Sequence, residues 1–208
     1  MKRVLLAVVL LALLAGGYYY ITSLRNSPAA ALLKASEAVR THDLPTFERY
    51  VDIDAVTSGL SDDVAQQSSA LTGLLPGGGL LFRGGLGLLK PQLAKAAHKE
   101  VQRLVETGSL QEARAAAPKH LVNVSLLGLA GRLVGADSRF KEVKYTNERG
   151  DAEAIVGLEF TQPRYDTTAV VEVLLRKQAD GHWQAKRIAN TQALVKQMAR
   201  QEGNRLLH

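Results

Sequence analysis

The sequence predicts an α+β domain held behind an N-terminal transmembrane helix. Three observations predict it. An apolar run opens at Val4 and closes at Leu24. Beyond it, from Ser27 to about residue 136, apolar side chains recur three and four apart, the period of a helix with one buried face. From Arg139 the period falls to two and turn residues punctuate the chain, the pattern of short antiparallel strands. The expected organisation is an anchor over residues 1–25 and an extracytoplasmic domain over 26–208. Within that domain, 27–136 is mainly helical, 139–190 is a four-stranded antiparallel curved sheet, and 191–206 is a closing helix.

The first segment decides where the rest resides. Lys2 and Arg3 precede twelve residues without a polar side chain, and Tyr18, Tyr19 and Tyr20 lie near the far end. A helix of about 21 residues at roughly 1.5 Å per residue spans about 30 Å, one hydrocarbon core. The two cations favour a cytoplasmic N-terminus, and the tyrosines suit the headgroup layer. Everything after Arg25 is then expected outside the cytoplasmic membrane. The alternative is a cleaved signal peptide, with residues 4–15 as its apolar part and Ala15 and Gly17 before the cut. That would release the domain into the periplasm. The chain has no cysteine, which excludes a lipoprotein anchor and disulfide staples, so stability must come from packing. The formal net charge of +6 is dispersed rather than clustered with aromatics, so no nucleic-acid partner is expected.

In the helical part, Ser27-Pro28 is a cap followed by a proline at the first helical position. Leu32, Ala35, Val39 and the neighbouring Leu33 and Ala38 are expected to form one face of that helix, and Lys34, Glu37 and Arg40 the other. It is expected to end near Thr41-His42. Asp43 caps a short helix to Tyr50 that turns Phe47, Tyr50 and Val51 inward. Asp54 and Ser61 are the next expected caps, with Asp62 and Asp63 in the first turn of a helix reaching about Leu75. The glycine-rich apolar stretch from Gly77 to Leu89 follows. Gly79 and Gly84 have the outer spacing of a phosphate loop, but Gly85 and Leu86 replace the lysine and hydroxyl residue that such a loop needs. The stretch therefore reads as a connector or as an apolar lip. Lys90-Pro91 should open a helix to Glu106, with Leu93, Ala97, Val101, Leu104 and Val105 buried and Lys95, Lys99 and Arg103 solvated. Ser109-Leu110-Gln111-Glu112 is a capping box. Residues 121–134 are apolar but too interrupted to form a second membrane span.

Phe140, Val143 and Tyr145 mark the first strand, and Glu148-Arg149-Gly150-Asp151 a turn. Ala154, Val156, Leu158 and Phe160 alternate across the second strand. After Pro163-Arg164-Tyr165-Asp166 comes the third, with Val170, Val171, Val173 and Leu175. Asp180-Gly181 is a strong hairpin signal before the fourth strand, expected from His182 to Ile188. The tail from Thr191 to Leu206 returns to a helical period with Leu194, Met198 and Val195 inward. An antiparallel sheet with one buried face needs a cover, which the preceding helices supply.

Helices followed by such a sheet resemble the nuclear-transport-factor-2-like, or cystatin-like, α+β cone. The residues that carry the resemblance are Ala38 to Phe47 and the hairpin Asp180-Gly181-His182-Trp183 with Ile188. More specifically, the chain is similar to a bacterial family of single-anchor envelope proteins that is a domain of unknown function. The shared features are the anchor, Ser27-Pro28, Tyr50-Val51-Asp52 and the strand start Ser138-Arg139-Phe140. The resemblance spans most of residues 27–190 through short structural motifs. It implies a bacterial inner-membrane protein with a single pass and a periplasmic C-terminal domain, and it carries over no catalytic residue.

No histidine pairs at metal-ligand spacing, no cysteine offers a thiol, and no G-x-S-x-G elbow is present. The sequence thus points to a non-enzymatic module with no cofactor, metal or catalytic residue, which engages a protein partner in the envelope. Pairing with a second copy through the open sheet face is a further expectation of the cone fold. An alternative is a lipid-like or other apolar ligand held between helices and sheet. Leu81 and Phe82 would then form a lip, and Tyr145, Tyr165 and Trp183 would line the pocket. A third alternative is a cone-fold isomerase or dehydratase using Asp166, Tyr145 or His182 as acid or base.

Overall fold

The computed structural model describes residues 26–66, 86–109, 112–113 and 138–206. Ser27 stands in extended backbone, and its hydroxyl accepts the Ala30 N–H at 3.1 Å, so α1 (Pro28–Arg40) starts where the cap and the proline place it. Its C-terminus is a Schellman motif. The His42 N–H donates to the Val39 carbonyl at 3.3 Å and the Asp43 N–H to the Ala38 carbonyl at 2.9 Å. His42 takes the left-handed position (φ 59°) that glycine usually fills. Its ring compensates by docking: Nδ1 lies 2.9 Å from the Val105 carbonyl oxygen, and Cε1 sits over Gly108.

Asp43 caps α2 (Leu44–Tyr50) by accepting the Thr46 N–H at 3.0 Å. The chain then extends through Val51, which forms an isolated bridge to Ala185, while the Asp52 N–H donates to the Ala185 carbonyl at 3.0 Å. Next comes α3 (Ile53–Gln66), and here two expectations are corrected. The cap is Asp52, which accepts the Ala55 N–H at 2.9 Å, and Ser61 starts nothing. The Ser61 and Thr57 hydroxyls each donate 2.7 Å back to the carbonyl four residues earlier, and both residues are buried with Ile53 and Leu60. A hydroxyl bonded back in this way no longer competes with the helix, and the buried stripe favours one continuous element. Asp62 and Asp63 therefore lie in the C-terminal half of α3 rather than in a first turn.

The next helix, α4 (Leu86–Thr107), also departs from expectation: it begins before Lys90-Pro91 and takes Pro91 inside. Pro91 falls in the second turn, where the proline forgoes the bond toward the carbonyl of residue 87 and its ring crowds that carbonyl. Ala97 and Val105 are buried and Lys95, Lys99 and Arg103 lie on the outer side, as the charge stripe predicts. Glu100, unforeseen, is buried on the same side as Ala97. Ser109 accepts the Glu112 N–H at 3.2 Å, the first half of the expected capping box.

The sheet is an antiparallel meander in the order β1 (Arg139–Arg149), β2 (Glu153–Gln162), β3 (Thr167–Lys177), β4 (Trp183–Ile188). Gly150 (φ 68°) and Gly181 (φ 86°) turn its two tight hairpins, positions where a Cβ would be strained. A 3-10 turn (Pro163–Tyr165) with Asp166 left-handed joins β2 to β3. After β4, Asn190 prolongs the ladder with its side chain, accepting the Glu172 N–H at 3.0 Å and donating to the Val170 carbonyl at 2.7 Å. It leads into α5 (Thr191–Leu206), which buries Leu194 and Val195.

On one face of the sheet, Ala154 and Val156 stand level with Leu175 and Val173, and Leu175 with Ala185. With Ala31 of α1 and Trp183 these residues form the core, and Leu32, Tyr50, Val51 and Val143 pack around it. The alanines on both sides let α1 approach closely, and Trp183 and Leu175 fill the space between. β1 breaks register twice, between Phe140 and Glu142 and between Val143 and Tyr145. Lys141 and Lys144 are the extra residues. Phe140 and Val143 therefore face the helices beside Phe160 and Leu158, while Tyr145 moves to the other face beside Gly157.

Among the described residues no helix is long and apolar enough to cross a membrane. The anchor expected at residues 4–24, residues 77–85 of the glycine-rich stretch and residues 121–134 lie outside the described residues.

Candidate functional site

A cleft of about 160 Å³ opens where the start of α1, the end of α2 and the β3–β4 hairpin meet. Asn26, Ser27, Ala31 and Lys34 come from the α1 side, Arg49 and Tyr50 from α2, and Asp180 to Trp183 from the hairpin. Each is placed by a local device already described. The Ser27 cap fixes the first wall, the Asp43 cap aims α2, and Gly181 turns the hairpin back toward both.

His182 locks the cleft together. Its Nδ1 donates to the Asp180 carboxylate, and its Nε2 lies 2.8 Å from the Arg49 carbonyl oxygen. The hydrogen bond from His182 holds the Asp180 carboxyl below the usual carboxylate range, helped by the Arg49 charge. Arg49 Nη2 meets Asp180 at 3.1 Å. The Tyr50 ring stands edge-on to His182, with centroids 5.9 Å apart. Lys34 Nζ lies 5.3 Å from the centre of the Tyr50 ring and has no carboxylate partner among the described residues. Trp183 closes the floor, 5% exposed.

On the sheet face away from α1, a second polar array spans three strands. The Tyr145 ring lies flat over Gly157, and its hydroxyl donates to Glu172 Oε1 at 2.7 Å. That bond, together with burial, pushes the phenol up to about 12. Glu159 is buried between Lys144 Nζ at 2.8 Å, Lys141 Nζ at 3.1 Å and the Thr168 hydroxyl at 3.0 Å. The lysines first, and then Thr168, hold its carboxyl down at about 2.

The residues singled out from the sequence do not converge. Trp183 lines the cleft on the helix-covered face, whereas Tyr145 is on the opposite face. Tyr165 sits in the turn before β3, and Trp183 pairs with Lys177 at the strand's far end, about 30 Å away at 3.3 Å per residue. Asp166, Tyr145 and His182 are likewise apart and form no acid–base constellation. Leu81 and Phe82 lie outside the described residues. No group of three or more His, Cys, Asp or Glu residues suited to a metal occurs among the described residues. Sequence reasoning missed Lys34, Arg49 and Tyr50. Lys34 looks like an ordinary solvated helix position, and the His182–Arg49 bond joins positions 133 apart in the chain. Comparisons with family models, with curated proteins and with solved structures find no match to the chain.

Proposed function

We propose that this chain is a membrane-tethered, non-enzymatic module that presents its α+β domain on the periplasmic side of a bacterial inner membrane, where it engages an envelope protein along β1. The observation that carries this reading is the contrast between the two sheet margins. The β4 margin is occupied by Val51 and Asp52. β1, eleven residues long, pairs with β2 alone among the described residues, and its side chains are exposed over most of its length. Lysines on an edge strand usually stand out and discourage pairing, but Lys141 and Lys144 fold back onto Glu159. Beyond the second bulge the register from Tyr145 to Arg149 is regular, as strand addition by a partner segment requires. Phe140, 49% exposed beside Phe160, supplies an apolar anchor at the other end.

The test is photo-crosslinking of the full chain in native membranes, with the reactive residue at Asn147 and, as control, at Lys99 on the outer side of α4. A discrete adduct from Asn147 and none from Lys99 is expected. Identical products from both positions, or none from Asn147, would sink the reading. The cleft at the α1 end is too small and too polar for an acyl chain, which weighs against it as an apolar ligand site.

A further inference from the structure

We infer that the cleft between α1, α2 and the β3–β4 hairpin binds a phosphate group, presented by the head of a membrane lipid beside the anchor. Size comes first. A cavity near 150 Å³ takes a six-atom ring, so about 160 Å³ accommodates a phosphate and one or two attached atoms. Charge comes second. Among the lining residues Lys34 and Arg49 are cationic and Asp180 is the one acid. Asp180 is already matched by His182 and Arg49. Lys34 is left facing the cleft with the Tyr50 ring as its neighbour, an ammonium whose three donors no acceptor meets among the described residues. Arg49 gives Nη2 to Asp180 and keeps further N–H groups for an oxyanion. A phosphate seated there would meet a charge from each of two helices.

Position comes third and rests on the anchored reading above. Asn26 and Ser27 line the cleft, and they follow directly on Arg25 at the end of the apolar run. If that run is the anchor, the cleft mouth stands within a residue or two of the headgroup layer. Tyr50, an apolar ring with a polar edge at the cleft, is suited to that layer.

Trp183 is the chain's single tryptophan, so it reports on the cleft without labelling. The full chain in dodecyl maltoside is titrated separately with dihexanoyl-phosphatidylglycerol, with inorganic phosphate and with uncharged dihexanoylglycerol, while Trp183 emission is followed. Saturable change with the phospholipid and none with dihexanoylglycerol is expected. Lys34→Gln should weaken binding about tenfold and Lys34→Arg should largely restore it, as loss and return of one charge-assisted contact imply. No saturable change with either phosphate probe, or equal affinity in Lys34→Gln, overturns the site. Saturation by inorganic phosphate but not by phospholipid keeps the phosphate site and overturns the lipid source. Alkaline carbonate extraction of native membranes tests the anchor separately: release of the chain removes the anchored reading whatever Trp183 shows.

Discussion

The two faces of the sheet solve the same problem with opposite chemistry. Toward α1, β2 presents Ala154 and Val156 against Leu175, Ala185 and Trp183, and the contact is closed by Ala31. Most of those side chains carry no polar atom, and stability follows from the apolar area removed from water and from close packing. One residue along, the same strand presents Gly157 and Glu159. Gly157 leaves room for the Tyr145 ring, and Glu159 is enclosed by two lysines and a threonine. That face is held by directional contacts whose geometry depends on two bulges in β1. The apolar face should tolerate changes of shape but not of volume. The polar face should tolerate neither a lost partner nor a lost bulge.

The largest effect is expected on the apolar side. Leu175 is fully buried at the centre of the core, and Leu175→Ala should cost about 2–5 kcal/mol, measured by urea denaturation of the domain signal. A loss below about 1 kcal/mol would mean that the core is not organised around this strand. The next effect tests the polar side. A Cβ on Gly157 would lie 2.6 Å from Tyr145 Cζ, so Gly157→Ala must displace the ring at about 1–3 kcal/mol. It should also take the Tyr145 hydroxyl off Glu172 and return the phenol from about 12 toward its ordinary 10.0. In the parent chain the folded state keeps this proton that the unfolded chain releases near pH 10. The associated stability is thus present below about pH 10 and is lost as the pH rises through about 12. Phenolate absorbance, with Tyr145→Phe as the subtraction control, separates this group from the other five tyrosines. An unchanged titration in Gly157→Ala would show that Gly157 does not position the ring.

The same two faces explain what the sequence disclosed. Alternation in β2 and β3 and the turn residues at Gly150 and Gly181 were enough to place the hairpins, because those signals act within a few residues. The Ser27 and Asp43 caps were legible for the same reason. Ser61 misled because its hydroxyl could serve a cap or bond back four residues, and burial against a distant element decided between them. Pro91 misled because a start signal is also tolerated in a second turn. The bulges in β1 left one trace, the three-residue step from Phe140 to Val143 where a flat strand would step two. The cleft left almost none. Lys34, Arg49 and His182 meet only when α1, α2 and the hairpin come together, and each alone looks like a solvated charge.

The smallest expected effect isolates the bulges themselves. Glu159 is drawn down to about 2 from an ordinary 4.5, by Lys144 and Lys141 first and Thr168 next. Both lysines are bulge residues, so this carboxylate is held by features that a regular strand would lack. A depressed carboxyl contributes stability above its unfolded value, and that contribution is lost as the pH falls from about 4.5 toward 2. The lysine side chains are about half exposed, at 49% and 47%, so water and salt screen the pair and the change should be modest. Urea midpoints between about pH 6 and about pH 2.5 should fall less steeply for Glu159→Gln than for the parent chain, with the difference confined to the acid end. Added salt should shrink it. Parallel curves would mean that the bulges shape the strand without the ion pairs stabilising it, and that the polar face depends on the Tyr145–Glu172 bond instead.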